Sequence, residues 1–201
     1  MTGIIRSRID RKRWLLETPS VEEVRPSSCV RCGAAARPAG GPLCLHGHGV
    51  RLRQLRGPRS PGEPPWLDVL TVRRYRCQRC AAVLVVGPCD TAPRKHYAAT
   101  AIALALALFG VSGQTHAEVR AQVSPSPIVG VTAERRWYTM TRWIDAVTAR
   151  DLFPAVPVMP RDLCRRAVAA RTAMAIGAHA PPSLPESAPV LRAFVGVAQM
   201  S

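Results

Sequence analysis

The sequence predicts an α+β fold: a small β-hairpin element framed by two cysteine pairs, followed by a helical unit. Three observations predict it. Cys29-Val-Arg-Cys32-Gly33 and Cys77-Gln-Arg-Cys80 form two C-x-x-C turns. Between them, residues 50–56 and 67–76 have β-type composition and flank a Pro/Gly cluster at 57–65, the pattern of a hairpin with a long loop. From residue 97 to 110 the chain then turns apolar and charge-free, ending at Gly110.

Along the second strand, Leu67, Val69, Thr71, Arg73 and Tyr75 share one face, and Leu70, Val72, Arg74 and Arg76 share the other. Both faces become basic towards Cys77. The apolar helix follows Pro93-Arg94-Lys95-His96, and its lack of charge predicts burial on most sides. Ser112 is expected to cap a second helix running to about Val123, and Ser124-Pro125-Ser126-Pro127 then breaks the chain. Thr132 starts a third helix, expected to reach about Arg150, with Trp137, Met140, Ile144 and Val147 on one face and Arg135, Thr139 and Arg142 on the other. Three helices in this space suggest a trihelical unit. A fourth is expected over 161–178, followed by a loosely ordered tail marked by Pro181, Pro182, Pro185 and Pro189. The chain shows no internal repeat.

The 201 residues suit one or two small domains. No apolar run approaches the roughly 20 residues that span a bilayer, and the N-terminus lacks the apolar core of a secretory signal. A cytoplasmic, reducing compartment is the expectation. Seven cysteines there read as ligands, redox groups or core fillers rather than disulfides, and the odd count argues the same way. Each C-x-x-C turn presents two thiolates to one ion, and Zn²⁺ prefers four tetrahedral sulfur or nitrogen ligands. Two turns bracketing a hairpin therefore predict a structural zinc held by Cys29, Cys32, Cys77 and Cys80. Cys44, His46 and His48 are close enough in sequence to replace a ligand or hold a second ion, or else they pack and turn. Cys89 and Cys164 read as isolated thiols, Cys164 inside a helix.

The charge is the other strong signal: 28 Lys+Arg against 13 Asp+Glu, net +15, with an isoelectric point near 11.0. Residues 41–96 hold 10 of the bases and 3 of the acids. Such an excess suits a polyanionic partner, nucleic acid first and an acidic membrane surface second. Arg73, Arg74, Arg76 and Arg79 surround the second cysteine pair as a phosphate track or a solvated charge run. Arg94 and Lys95 suit a phosphate clamp or a polar linker. Arg135, Thr139 and Arg142 suit a groove-facing helix surface or a solvent-facing one. Trp137 and Trp143 read as core anchors. The basic stretch from Arg6 to Trp14 reads as an arm ordering on nucleic acid or a loose terminus. His116, His179, Ser112 and Ser124 belong to no nucleophile motif, and no catalytic residue is expected.

The order C-x-x-C-G, His46-Gly47, Arg73-Arg74-Tyr75-Arg76-Cys77-x-x-Cys80, Pro88, Pro93-Arg94-x-x-Tyr97 and a helical stretch ending Arg142-Trp143 resembles the N-terminal zinc-ribbon and helix-turn-helix region of bacterial insertion-sequence transposases and short transposase-like proteins. The resemblance covers about residues 25–150. It implies recognition of double-stranded transposon-end DNA by a ribbon and a helix-turn-helix, usually ahead of an RNase H-like catalytic domain. The domains it suggests are a basic arm (1–24), a zinc ribbon (25–92), a helix-turn-helix-like unit (93–150) and a C-terminal helix with its tail (151–201). Two departures stand out. About eight residues, 124–131, separate the second and third helices where a tight helix-turn-helix has three or four. After Arg150 only 51 residues and three acids, Asp151, Asp162 and Glu186, remain, too few for a two-metal site. The expectation is a nucleoid-associated DNA-binding protein that is not an enzyme. Its alternatives are an adaptor for a separately encoded recombinase or another protein, and a small zinc enzyme using Cys44, His46 or His48 with Asp90.

Overall fold

The computed structural model describes residues 3–126 and 136–200. It is a mixed α+β chain whose described residues form one four-stranded sheet and six helices. The strands are β1 (Gly3–Arg6), β2 (Leu45–Gly57), β3 (Trp66–Cys77) and β4 (Val83–Gly87), in the order β1-β4-β3-β2. The helices are α1 (Arg11–Leu16), α2 (Ala99–Gly110), α3 (His116–Val123), α4 (Tyr138–Thr148), α5 (Arg165–Gly177) and α6 (Pro189–Gln199). Two compact units result. The first holds the chain up to Leu55 together with Asp68–His96, and the second holds Arg56–Leu67 together with the chain from Tyr97 onward.

In the first unit the short apolar run of β4 is central. It pairs parallel with β1, Ile4 opposite Val85, and antiparallel with β3, Tyr75 opposite Leu84. A strand covered on both faces reads as a continuous apolar run rather than an alternating one, and Leu84, Val85 and Val86 are all buried. On β3 the predicted alternation holds, but its two faces are covered at different ends. Asp68, Leu70 and Val72 are buried towards the hairpin loop, whereas Tyr75 and Cys77 are buried on the opposite face towards the cysteine turn. The N-terminal segment, expected as an arm or a loose terminus, instead supplies β1 and α1. Asp10 caps α1 by accepting from the Arg13 N–H, and Trp14 is buried with its Nε1 donating to the Thr71 carbonyl at 2.9 Å. The chain beyond α1 is strapped along β3: Arg73 Nε donates to the Pro19 carbonyl and Tyr75 Oη to the Val21 carbonyl, each at 2.7 Å.

In the second unit, α2 is buried at eleven of its twelve residues. Glycines let α2, α5 and α6 approach closely: a Cβ on Gly110 of α2 would lie 2.2 Å from the Ala170 backbone nitrogen of α5, and one on Gly196 of α6 would lie 2.2 Å from the Ile176 carbonyl oxygen of α5. The second helix is capped by Thr115 rather than Ser112, in a reciprocal capping box with Glu118. The third helix begins at Tyr138, not at Thr132 as expected, because Arg136 is non-helical and Trp137 is its extended N-cap; the predicted apolar residues Trp137, Met140, Ile144 and Val147 are nonetheless buried. Trp137, Trp143 and Tyr97 form an edge-to-face trio with centroids 4.9–5.9 Å apart. The expected loose tail is corrected: Pro189 opens α6, which buries Ala193, Phe194, Gly196 and Val197 and packs on α2 and α5. Cys164 is an exposed helix cap, not an interior residue. No helix among the described residues is long and apolar enough to cross a membrane.

His116 gives this unit a pH dependence. Its Nδ1 accepts from the Trp137 N–H at 2.9 Å, and burial followed by Arg136 and Arg166 holds its pKa below 6.5. As pH falls through 6.5 the unfolded chain binds the proton before the folded one, so stability declines on acidification. The melting temperature is expected to drop between neutral pH and the folded pKa, and His116→Asn should flatten that drop. An unchanged slope in the variant would assign the acid sensitivity elsewhere.

Candidate metal centre and basic surface

The two C-x-x-C turns have the same backbone construction. In the first, the Cys29 N–H donates to the Ala34 carbonyl and the Gly33 N–H donates to the Cys29 carbonyl, both at 2.8 Å. In the second, the Cys77 N–H donates to the Ala82 carbonyl and the Ala81 N–H to the Cys77 carbonyl, both at 2.9 Å. The residue four beyond the first cysteine is left-handed in each, Gly33 at φ +71° and Ala81 at φ +56°. Glycine meets that requirement without strain, whereas alanine does not. Ala81→Gly is therefore expected to stabilise the protein by about 0.5–1 kcal/mol, and Gly33→Ala, whose Cβ meets no neighbour, to destabilise it by a similar amount. Denaturant midpoints of both variants check this, and a destabilising Ala81→Gly would contradict it.

The turns face each other so that their sulfurs interleave. Cys29 Sγ lies 3.7 Å from Cys80 Sγ, Cys32 Sγ lies 3.7 Å from Cys77 Sγ, and all four sulfurs lie within 4.8 Å of one another. A disulfide would bring sulfurs to about 2.05 Å, so these are free thiols. A regular tetrahedron with metal–thiolate bonds of about 2.3 Å has sulfur–sulfur edges of about 3.8 Å. The donor set and its spacing thus fit one four-coordinate ion. Cys29 and Cys77 are buried, and Cys32 and Cys80 half-buried.

The electrostatics support the same fit. At Cys77 burial opposes ionisation, but the N–H groups of Cys80 and Arg79 and the thiols of Cys80 and Cys32 outweigh it, and its pKa falls below the usual thiol value. At Cys80 the Ala82 N–H favours the thiolate, but burial and the sulfurs of Cys32, Cys77 and Cys29 prevail, and its pKa rises. Cys77 thus ionises more readily than an ordinary thiol and Cys80 less readily beside its sulfur neighbours, a penalty that a bound divalent cation would offset.

Among the described residues these four cysteines are the group that could hold a metal ion. His46 and His48 are exposed on β2, with the His46 Nε2 bonded to the Leu43 carbonyl oxygen at 2.7 Å. Asp90 is buried beside Arg11. Cys89 is half-buried, and burial, then Asp90 and Asp10, push its thiol up to about 11.

The expected DNA-contacting residues fall into several environments. Arg76 and Arg79 are exposed on either side of Cys77, whereas Arg74 is half-buried and Arg73 is committed to the Pro19 carbonyl. Arg94 is exposed, and half-buried Lys95 gives its carbonyl to Arg53. On α4, Arg142 is exposed and Thr139 half-buried, while Arg135 lies outside the described residues. Arg31 is the residue the sequence reading passed over. It precedes the second cysteine of its turn as Arg79 does, and it is likewise exposed. That repeated C-x-Arg-C pattern was the available signal.

No protein family, curated protein or solved structure matches this chain.

Proposed function

We propose that this chain is a zinc-dependent DNA-binding protein in which the ion fixes a ribbon-like pair of cysteine turns, whose exposed arginines grip phosphates. The observation that carries the reading is the convergence of two equivalent turns, each presenting an exposed arginine, Arg31 and Arg79, beside a four-thiol site in a chain of net charge +15. Zn²⁺ suits this donor set because it takes four thiolates tetrahedrally and has no redox chemistry of its own. It holds the turns, and the arginines do the binding. A helix-turn-helix role for α3 and α4 is part of the same proposal, with Arg142 facing DNA from the surface opposite Met140, Ile144 and Val147.

The test is a salt titration of binding to duplex DNA. Phosphate neutralisation makes log affinity fall linearly with log salt, by about 0.9 per contact. Arg31→Ala, Arg76→Ala and Arg79→Ala should each flatten the slope by about that amount, and Arg142→Ala should either do the same or relax the preference for one base. Arg73→Ala should instead lower stability through its lost strap contact. A salt-independent affinity, or none after zinc loading, rejects the reading. A protein partner is the second reading, favoured by Val50, Leu52 and Val69, which are exposed on β2 and β3. Specific pull-down of a protein by a chain that fails to bind DNA would establish it instead.

A further inference from the structure

A fifth cysteine stands at the edge of the four-thiol site. Cys44 Sγ lies 3.9 Å from Cys77 Sγ, in contact but unbonded. Its place is built into the fold from both sides. The Cys44 N–H donates to the Ala36 carbonyl at 2.8 Å, just after the first turn, and the Cys44 carbonyl accepts from the Gln78 N–H at 2.9 Å, inside the second. Leu45 beside it is fully buried and anchors the start of β2. A four-coordinate ion has no use for this sulfur. Cys44 is half-buried, so a small oxidant can reach it, whereas Cys77 is buried.

We propose that Cys44 is an oxidative modification site that opens the metal centre: a hydroperoxide converts Cys44 and Cys77 to a disulfide, and zinc is released. The inference rests on the zinc reading above. In the first step the Cys44 sulfur attacks one peroxide oxygen and the O–O bond breaks, giving a sulfenic acid at Cys44 and one water from hydrogen peroxide. In the second step the Cys77 sulfur leaves the ion and attacks the Cys44 sulfur, forming the S–S bond and expelling hydroxide. Two electrons pass from the two sulfurs to the peroxide. The sulfurs must close from 3.9 Å to about 2.05 Å. With Cys77 withdrawn, three thiolates remain, the turns lose their common anchor, and the arginines beside them lose their fixed spacing.

The experiment uses the full chain, purified without air and assayed for zinc before treatment. Hydrogen peroxide is added with a chromophoric chelator present, and disulfides are then mapped by mass spectrometry of unreduced peptides. The wild type should release its zinc and show a Cys44–Cys77 link. Cys44→Ser should begin with the same zinc content and release it roughly tenfold more slowly, because the paired thiol is gone. Cys164→Ser, which removes an exposed thiol outside the site, should behave as wild type. Equal release rates in Cys44→Ser and wild type, or a link confined to the four ligand cysteines, would overturn this inference while leaving the zinc reading intact. Absence of zinc before any peroxide is added would overturn both.

Discussion

Stripping the metal is expected to unfold the first unit while leaving the helical signal of the second, which supplies no ligand. Between α1 and β2 the described chain forms no helix or strand, only an isolated bridge between Ser28 and Ala35. What fixes that stretch is a few buried side chains, Val24 and Ala36 among them, the strap onto β3 and, on the zinc reading, a shared ion. Structural zinc contributes about 10–16 kcal/mol of apparent binding energy at neutral pH. Whole domains are stable by about 5–15 kcal/mol, so the ion's contribution is comparable to the whole margin. The expected result is one zinc per chain, loss of near-ultraviolet circular dichroism at Trp14 and Tyr75 on chelation, and recovery on adding zinc back. Cobalt should substitute and give the visible absorption of a tetrahedral thiolate site. Cys29→Ser and Cys77→Ser should be the most damaging single changes, because their sulfurs are the buried pair. A chelated protein that melts as the loaded one does would reduce the four cysteines to a packing role.

How much of this was legible depended on whether the information was local. Cysteine spacing is local, and the four cysteines that converge could be read from it. The hairpin was legible because a Pro/Gly loop separates two β-rich runs, and α2 because charge vanishes from it. β4 was not, since five apolar residues flanked by short turns fit a buried strand and a helix fragment equally. β1 and α1 lay hidden under basic composition: Arg6 and Arg11 look solvated in sequence, yet Arg11 is buried against acids 57 and 79 positions away. Proline density made the last segment look loose, although Pro189 at the first turn of α6 favours a helix. Cys44 shows the same limit at the candidate site. Its position beside Cys77 comes from two backbone hydrogen bonds, to Ala36 and from Gln78, that no spacing rule contains.

The second large effect is expected at Arg11. Its Nε lies 3.6 Å from Asp68 Oδ2 and 3.5 Å from Asp90 Oδ2, and the three side chains are 3%, 3% and 7% exposed. The cluster ties three separate parts of the first unit together: α1, β3 and the turn after β4. Arg11 faces both carboxylates, and burial opposes their charge. Asp90 registers this, since burial pushes its pKa up while Arg11 pulls it down, and the net shift is upward. Replacing Arg11 by leucine keeps much of the packing but strands both acids without their cation. Breaking a buried pair from one side costs about 3–5 kcal/mol, a large share of the stability of a small unit. The sign with pH separates this from a simple packing loss. Without Arg11 the Asp90 pKa rises further, so the folded state holds its proton to higher pH than the unfolded chain does. The penalty should then be largest at neutral pH and shrink as pH falls towards the ordinary carboxylate range. Adding Asp90→Asn to Arg11→Leu should recover part of the lost stability at neutral pH, because one of the stranded charges is removed. Denaturant unfolding of the two variants at pH 7 and pH 5 measures this, and a penalty independent of pH and unrelieved by Asp90→Asn would mean that Arg11 acts through its packing alone.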